Sequence, residues 1–351
     1  MPIAGTGAFP ATGSIYNELT STVRRAFIPK LYVQIYFASP TLFYLMGNSQ
    51  RSAGGAAQIT IPMQGQSMVQ GQFTGYGGGF NSPVITPGVQ NGQWNTAYWV
   101  VPIPLPFGET VIQSTETVIP LLKARMNDAY AVTRQKMASL LFTNNSANGL
   151  LPNSFIDAFD NGTNVPVYGG INRTSAGNSA FQGQYINLGA APWSLTSGFT
   201  RATMAAFLEK ITDAAGGEAP TCVIMNPADR ATLNKDFIGT NNGTGAEQFL
   251  VQPGKAYSMS TAVRSAFPNL EVSGVPIFSD HFCPVGNVFV PNVKYFNMYI
   301  SEDANLDFSG FYSLVPLGQI GQQGVVVLGY NVVNAKSSSG AWGYGLGGAS
   351  F

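Results

Sequence analysis

Hydrophobic residues recur at helical spacing in several stretches of the chain and at strand spacing in most of the others. Over 14–27, Ile15, Leu19, Val23, Ala26 and Phe27 share one helical face, with Ser14 placed to cap it and Pro29 to end it. A second apolar piece, 31–46, is rich in aromatics and interrupted by Pro40, too broken to span a bilayer. The strongest helical pattern covers 115–142, opened by Ser114-Thr115-Glu116 with Pro120 in its first turns and ended near Asn144-Asn145. Val118, Leu121, Leu122, Met126, Ala129, Val132, Met137, Leu140 and Leu141 form its apolar stripe, and Lys123, Arg125, Asp128, Arg134 and Lys136 its wetter side.

After a Gly-, Asn- and Ser-rich stretch over 144–198, with short strands expected around Val165-Pro166-Val167-Tyr168, regularity returns. Thr200 caps a helix over 201–214 with Met204, Phe207, Leu208 and Ile211 inward, and Gly216-Gly217 stops it. A buried strand over 221–225 leads through Asn226-Pro227 into a helix over 228–237. Further strands are predicted at 270–272, 275–279, 287–290, 295–300 and 324–333, with a turn at Cys283-Pro284-Val285-Gly286. Helices alternating with strands, then more strands, give an α+β fold.

The segment 52–108 contains no Lys, Arg, Asp or Glu. Its amides, among them Gln64, Gln66, Gln70, Gln72, Asn91 and Gln93, would be stranded in hydrocarbon, so it is no membrane span. Its rings, Phe73, Tyr76, Phe80, Trp94, Tyr98 and Trp99, are too large to leave solvated in a flexible linker. A long hairpin satisfies both limits, with strands over 58–63 and 94–102 flanking Gly77-Gly78-Gly79 and laid across neighbouring copies. An ordinary internal β-sheet core is the alternative. The segment 337–351, rich in Ser and Gly, reads as a tail that is disordered by itself and held through Trp342 and Tyr344 by a neighbouring chain.

Across the 351 residues, 17 Lys and Arg balance 17 Asp and Glu, so bulk charge attracts no polyanion. Charged residues make up 10% of the chain; a typical soluble domain carries roughly 25%. That depletion is what the buried centre of a protein–protein interface shows, because an unpaired charge is costly to desolvate. A secreted β-rich adhesin or carbohydrate-binding module, with a surface of Ser, Thr and Asn, is the alternative from another class. The absence of a basic stretch followed by an apolar run at the start counts against secretion. Cys222 and Cys283 lie far apart without CxxC spacing, which favours free thiols and leaves a disulfide open.

Candidate chemistry is sparse. The single histidine, His281, stands beside Asp280 and two residues from Cys283. A Cys-His pair is a nucleophile-base arrangement, but nothing nearby supplies an orienting group or an oxyanion donor. One His, two distant Cys and an Asp make no recognisable metal set, and no phosphate-binding or hydrolase motif occurs. The chain is therefore expected to have no catalytic, metal or cofactor site, and a hydrolase is the least favoured reading.

The run Asp160-Asn161-Gly162-Thr163-Asn164, continuing through Tyr168-Gly169-Gly170-Ile171-Asn172-Arg173-Thr174, resembles a signature of the major capsid proteins of tailed bacteriophages. The order that follows is similar to that family too: a helix, a strand ending in Asn226-Pro227, Gly274-Val275-Pro276-Ile277 with Asp280, Cys283-Pro284-Val285-Gly286, and Leu328-Gly329-Tyr330-Asn331. The resemblance covers about 155–335. It implies the capsid fold of the Hong Kong ninety-seven type: an N-terminal arm over 1–50, an extended E-loop over 51–110, a peripheral domain over 111–194 with a spine helix over 115–142, an axial domain over 195–300, returning strands over 301–335 and a tail over 336–351.

The resemblance also implies a virion protein, assembled in the host bacterial cytoplasm, that forms pentamers and hexamers of an icosahedral head around double-stranded DNA. Its partners would be its own copies, a portal and scaffolding or decoration proteins; DNA contacts would be weak and local, and no membrane is involved. Contacts between copies are expected at Phe73, Tyr76, Phe80, Trp94, Tyr98, Trp99, Arg173, Trp342 and Tyr344. Some relatives cross-link their shells through an E-loop lysine; 52–122 has none, so a non-covalent shell is expected. An encapsulin-like compartment is the alternative within the fold.

Overall fold

The computed structural model describes residues 39–48, 50–54, 57–67, 73, 76, 88–106, 121–238, 270–314 and 321–347. The expected helix over 14–27 and the tip Gly77-Gly78-Gly79 lie outside the described residues. The chain divides into two compact units at 98/99, 134/135, 305/306 and 328/329.

In the larger unit, α1 (Pro40–Asn48) begins with a proline. Sequence periodicity had Pro40 interrupting an apolar run; instead it opens the helix, at the position where a missing N–H costs nothing. Ser39 caps it, its hydroxyl accepting from Leu42 N at 3.2 Å. Then come β1 (Gln50–Ser52), β2 (Gln58–Gln64), β3 (Val89–Asn95) and β4 (Ala97–Pro106). The strands β2 and β3 pair antiparallel from Gln58↔Asn95 to Gln64↔Val89, so the predicted hairpin exists at its base. Its second strand is broken at Thr96, where one continuous strand was expected.

Helix α2 (Leu121–Leu140) falls inside the predicted 115–142. It is followed by α3 (Phe155–Phe159), β5 (Val167–Tyr168), β6 (Ile171–Asn172), β7 (Gln184–Asn187), α4 (Arg201–Ala214), β8 (Val223–Met225) and α5 (Pro227–Ile238). The chain continues with β9 (Leu270–Val272), β10 (Val275–Ser279), β11 (Val288–Val290), β12 (Phe296–Ser313), β13 (Gly321–Asn334) and β14 (Ala341–Tyr344).

The larger unit is organised by a six-stranded sheet in the order β7-β14-β11-β8-β10-β9. On one side α4 buries Met204, Phe207, Leu208 and Ile211 against Val223, Met225, Val288 and Val290. Phe289, pointing the other way as strand alternation requires, joins Phe142, Phe155, Phe159 and Phe296 in a stack with centroids 4.7–5.8 Å apart.

Residues 337–347 correct a sequence expectation: β14 is an interior strand of that sheet, parallel to β7 and antiparallel to β11. The glycines that read as part of a disordered tail are packing requirements. A Cβ on Gly343 would come within 2.7 Å of Leu188 Cδ1, and one on Gly340 would run into the Phe159 ring.

A second sheet has the order β1-β12-β13-β4. In the smaller unit, Ile103, Ala129 and Val326 form a small core with Met126, Tyr130, Leu306 and Phe308 packed around it. There Arg125 Nη1 donates to Pro104 O at 2.8 Å. β12 runs well past the predicted 295–300; the charges at Glu302, Asp303 and Asp307, all three exposed, hid its outer half. Among the described residues no helix is long and apolar enough to cross a membrane.

Candidate assembly site

The signature run folds into one buried polar centre. Ser154 opens α3 with a capping box, its hydroxyl accepting from Asp157 N at 3.1 Å while Asp157 accepts from Ser154 N at 2.9 Å. The same carboxylate accepts from Asn145 N at 3.3 Å. Asn145 in turn ends α2, donating to Leu140 O and Pro152 O. Burial pushes Asp157 up to about 6, against the opposing pull of its hydrogen bonds from Ser154 and Asn145. Asp160 holds the next turn, one oxygen accepting from the backbone N–H groups of Gly162, Asn164 and Val165 at 2.8–3.0 Å.

Arg173, 1% exposed, belongs to this centre. Its guanidinium donates to the carbonyls of Asp157, Ala158 and Asp160 at 2.8–2.9 Å, which are end carbonyls that a five-residue helix leaves unpaired. Burial pulls its pKa down; Tyr168, Asp160 and Asp157 oppose that. Tyr168, raised by burial, accepts from Asn334 N at 2.9 Å and so ties the centre to the end of β13.

The hairpin base is sewn to the same centre. Gln93 N donates to Gly169 O at 2.8 Å, and Trp94 meets Tyr168 edge-on at 5.4 Å. Gly92 and Gly169 leave room for the indole. Trp94 is 3% exposed, so Trp94 and Arg173 are corrected from contacts between copies to contacts within the chain. The register Ile59↔Trp94 puts Trp94 on the buried face of the hairpin with Ile59 and Met63, a face the sequence had not assigned.

The opposite face of the hairpin, with Gln58, Thr60, Pro62, Gln64, Asn91, Gln93 and Asn95, is largely exposed and carries amides without a charge. Phe73 and Tyr76 are fully exposed, Tyr98 is about half exposed and Trp99 partly so. Phe80 lies outside the described residues.

Trp342 and Tyr344 belong to their own sheet. Trp342 donates to Asn287 Oδ1 at 2.8 Å and stacks over Phe289, and Tyr344 stacks on Tyr185 at 4.2 Å. Trp342 is thereby corrected to an interior residue; Tyr344 keeps part of its surface.

Asp280, Cys283 and His281 do not assemble as a nucleophile and base. Cys283 is buried, burial raises its thiol well above the usual range, and Sγ points at Asn287 O and Pro284 O. A protonated, buried thiol is a poor nucleophile. Cys222 is likewise free and buried. Asp280 is a pin: it accepts from the Ser39 hydroxyl, Thr41 N and Phe282 N, fastening the start of α1 to the end of β10. Sequence reasoning missed that role. The spacing of Ser154 and Asp157 was the signal available for the α3 cap. Among the described residues no three His, Cys, Asp or Glu side chains could share a metal ion.

No family model and no curated protein sequence matches the chain. Solved structures do. A subunit of the cyanophage A-1(L) capsid superposes with a TM-score of 0.64 at 13% identity, over 91% of this chain and 96% of that one. The chain has the phage-capsid fold. The capsid of a native GTA particle matches with a TM-score of 0.57 at 10% identity, covering 97% of this chain and 99% of that chain. The SrpI encapsulin of Synechococcus elongatus PCC 7942 matches at 0.53 and 9% identity, covering 90% and 92%. At 9–13% identity these matches establish the shared fold.

Proposed function

We propose that this chain is the major capsid protein of a tailed phage, assembling as pentamers and hexamers into an icosahedral head around double-stranded DNA. The observation that carries the reading is the extent of the likeness: 91% of this chain aligns with 96% of a cyanophage capsid subunit. Chain identity at that match is low, so the physical features matter as well. A neutral hairpin whose aromatics Phe73 and Tyr76 have no cover among the described residues gains it from a neighbouring copy.

In this reading residues 1–50 are the N-terminal arm and 51–110 the E-loop lying over an adjacent subunit. The peripheral domain is 111–194 with α2 as its spine helix, the axial domain 195–300 and the returning strands 301–335. Assembly takes place in the host cytoplasm, with a portal and scaffolding or decoration proteins as partners. Contact with DNA is local and weak, since 17 basic residues are cancelled by 17 acidic ones. With no lysine in 52–122, subunits run singly on a denaturing gel; a ladder anchored in that segment overturns the non-covalent shell.

Electron microscopy of the expressed protein tests the proposal. Uniform closed particles or capsomer rings support it, and a lone, fully soluble molecule refutes it. The encapsulin match favours one second reading, a compartment shell. Particles recovered from phage-producing cells separate the two: packaged double-stranded DNA marks the head, protein cargo the compartment.

A further inference from the structure

We propose that Asn148 is a site of spontaneous deamidation, favoured by its local structure over the two other described Asn-Gly pairs, Asn91-Gly92 and Asn161-Gly162. The reaction needs no enzyme. The Gly149 nitrogen loses its proton to water or hydroxide and attacks Asn148 Cγ; the new N–Cγ bond forms as the Cγ–Nδ2 bond breaks and ammonia leaves with a proton. Water then opens the five-membered imide at one carbonyl or the other, giving an aspartate or an isoaspartyl link that carries the backbone through the side chain.

The loop joining α2 to α3 presents this pair ready to react. Asn148, Gly149 and Leu150 are exposed. Around Gly149 nothing lies within 4 Å of where a side chain would start, and among the described residues its N–H has no acceptor. Leu150 N donates to Asn148 Oδ1 at 3.1 Å, folding the carboxamide over the following peptide. That N–H sits where negative charge collects on Oδ1 during attack, as an oxyanion donor would. Anchors on both sides hold the turn: Asn148 N donates to Asn145 O, and Leu151 N to Asn148 O, each at 3.0 Å.

Asn161 makes the same side-chain turn, accepting from Thr163 N at 3.0 Å, but Gly162 N is held by the buried Asp160 carboxylate at 2.8 Å. To react, that nitrogen must give up a charge-assisted bond and become anionic beside a carboxylate. Asn91 lies in the β2–β3 ladder, and Gly92 is buried against Trp94 and Met63, away from water. Three identical dipeptides therefore differ in environment alone. The product places a new carboxylate beside Leu150, which is 81% exposed, on a chain of zero net charge.

The test is incubation of the purified full-length protein in mildly alkaline heavy-oxygen water, followed by peptide mapping. In the folded protein, label enters at Asn148 about tenfold or more faster than at Asn161, the factor set by one hydrogen bond to a charged acceptor. It also enters there faster than at Asn91. In denaturant the three rates converge, and Gly149→Ala slows Asn148 in the folded chain. Equal folded rates, or an ordering that survives denaturation, overturns the proposal.

Discussion

The guanidinium carbon of Arg173 lies 4.4 Å from the centre of the Tyr168 ring, so the two side chains contact each other within the larger unit's buried polar centre. Arg173 satisfies three carbonyls at the end of α3 while Tyr168 receives Asn334 N from the end of β13. A cation in this position is stable because carbonyl dipoles and a ring face replace its water.

Arg173→Met removes that cation and takes the guanidinium donors from the buried carbonyls of Asp157 and Ala158, while Asp160 O keeps Gly183 N at 3.0 Å. A loss of about 3–5 kcal/mol is expected, by the usual cost of stranding buried polar groups. Arg173→Lys, a point charge on a flexible stem, restores only part of it. Denaturant midpoints of wild type and the two variants check this, the expected order being Arg, Lys, Met.

Asp157 gives a pH dependence with a definite sign. Its folded pKa, about 6, lies above the ordinary 3.8, so the folded chain holds this proton more tightly than the unfolded chain. The stability linked to the proton is fully present below about pH 4 and is lost as pH rises through about 6, a total of about 3 kcal/mol. Asp157→Asn cannot titrate, so its melting temperature falls less than wild type's between those values. Asp229, raised by its own burial, adds the same slope to both proteins and cancels in the comparison. Equal slopes in thermal scans would remove Asp157 as the source.

Helix α4 was fully legible in the sequence: Thr200 caps it, and the four residues with helical spacing are the four that are buried. Local rules suffice there because cap, periodicity and stop signal all lie within one helix. Where partners are far away in sequence, the same rules fail. Gly340 and Gly343 look like part of a tail until Phe159 and Leu188 are seen against them. Arg173 looks like a loop residue until α3 ends over it. Pro40 looks like an interruption until Ser39 is found on Asp280, 241 positions away. The signature run 160–174 was recognisable as a string, but its role as a structural knot depends on Asn145, Gly169 and Asn334 converging in space.

The C-terminal strand yields a sharp test of that lesson. Deleting 337–351 removes β14 from between β7 and β11 and exposes Leu188, Phe207 and Phe289, so the chain should become insoluble when expressed. Gly343→Ala is the milder variant: the added methyl meets Leu188 and Phe207, and overpacking of this kind costs about 1–3 kcal/mol. A truncated chain that stays soluble with an unchanged unfolding midpoint would return 337–351 to the status of a tail.

Phe73 and Tyr76 separate assembly from folding. Both rings are fully exposed, so neither packs against the described residues of its own chain, and replacing both with Ser should leave the unfolding midpoint of the unassembled subunit within about 0.5 kcal/mol of wild type. If a neighbouring copy covers them, each ring contributes about 1.5–3 kcal/mol to one contact. A closed shell repeats that contact in every subunit, so the double variant should fail to form particles at concentrations where wild type assembles. Trp94→Ser is the contrasting control: the indole is packed on Tyr168 inside the chain, so its loss lowers stability whether or not particles form. Sedimentation of the assembled fraction, read beside the unfolding midpoint, distinguishes the two behaviours. Normal particles from the Phe73→Ser, Tyr76→Ser protein would mean that the exposed aromatics of the hairpin are not what the copies hold on to.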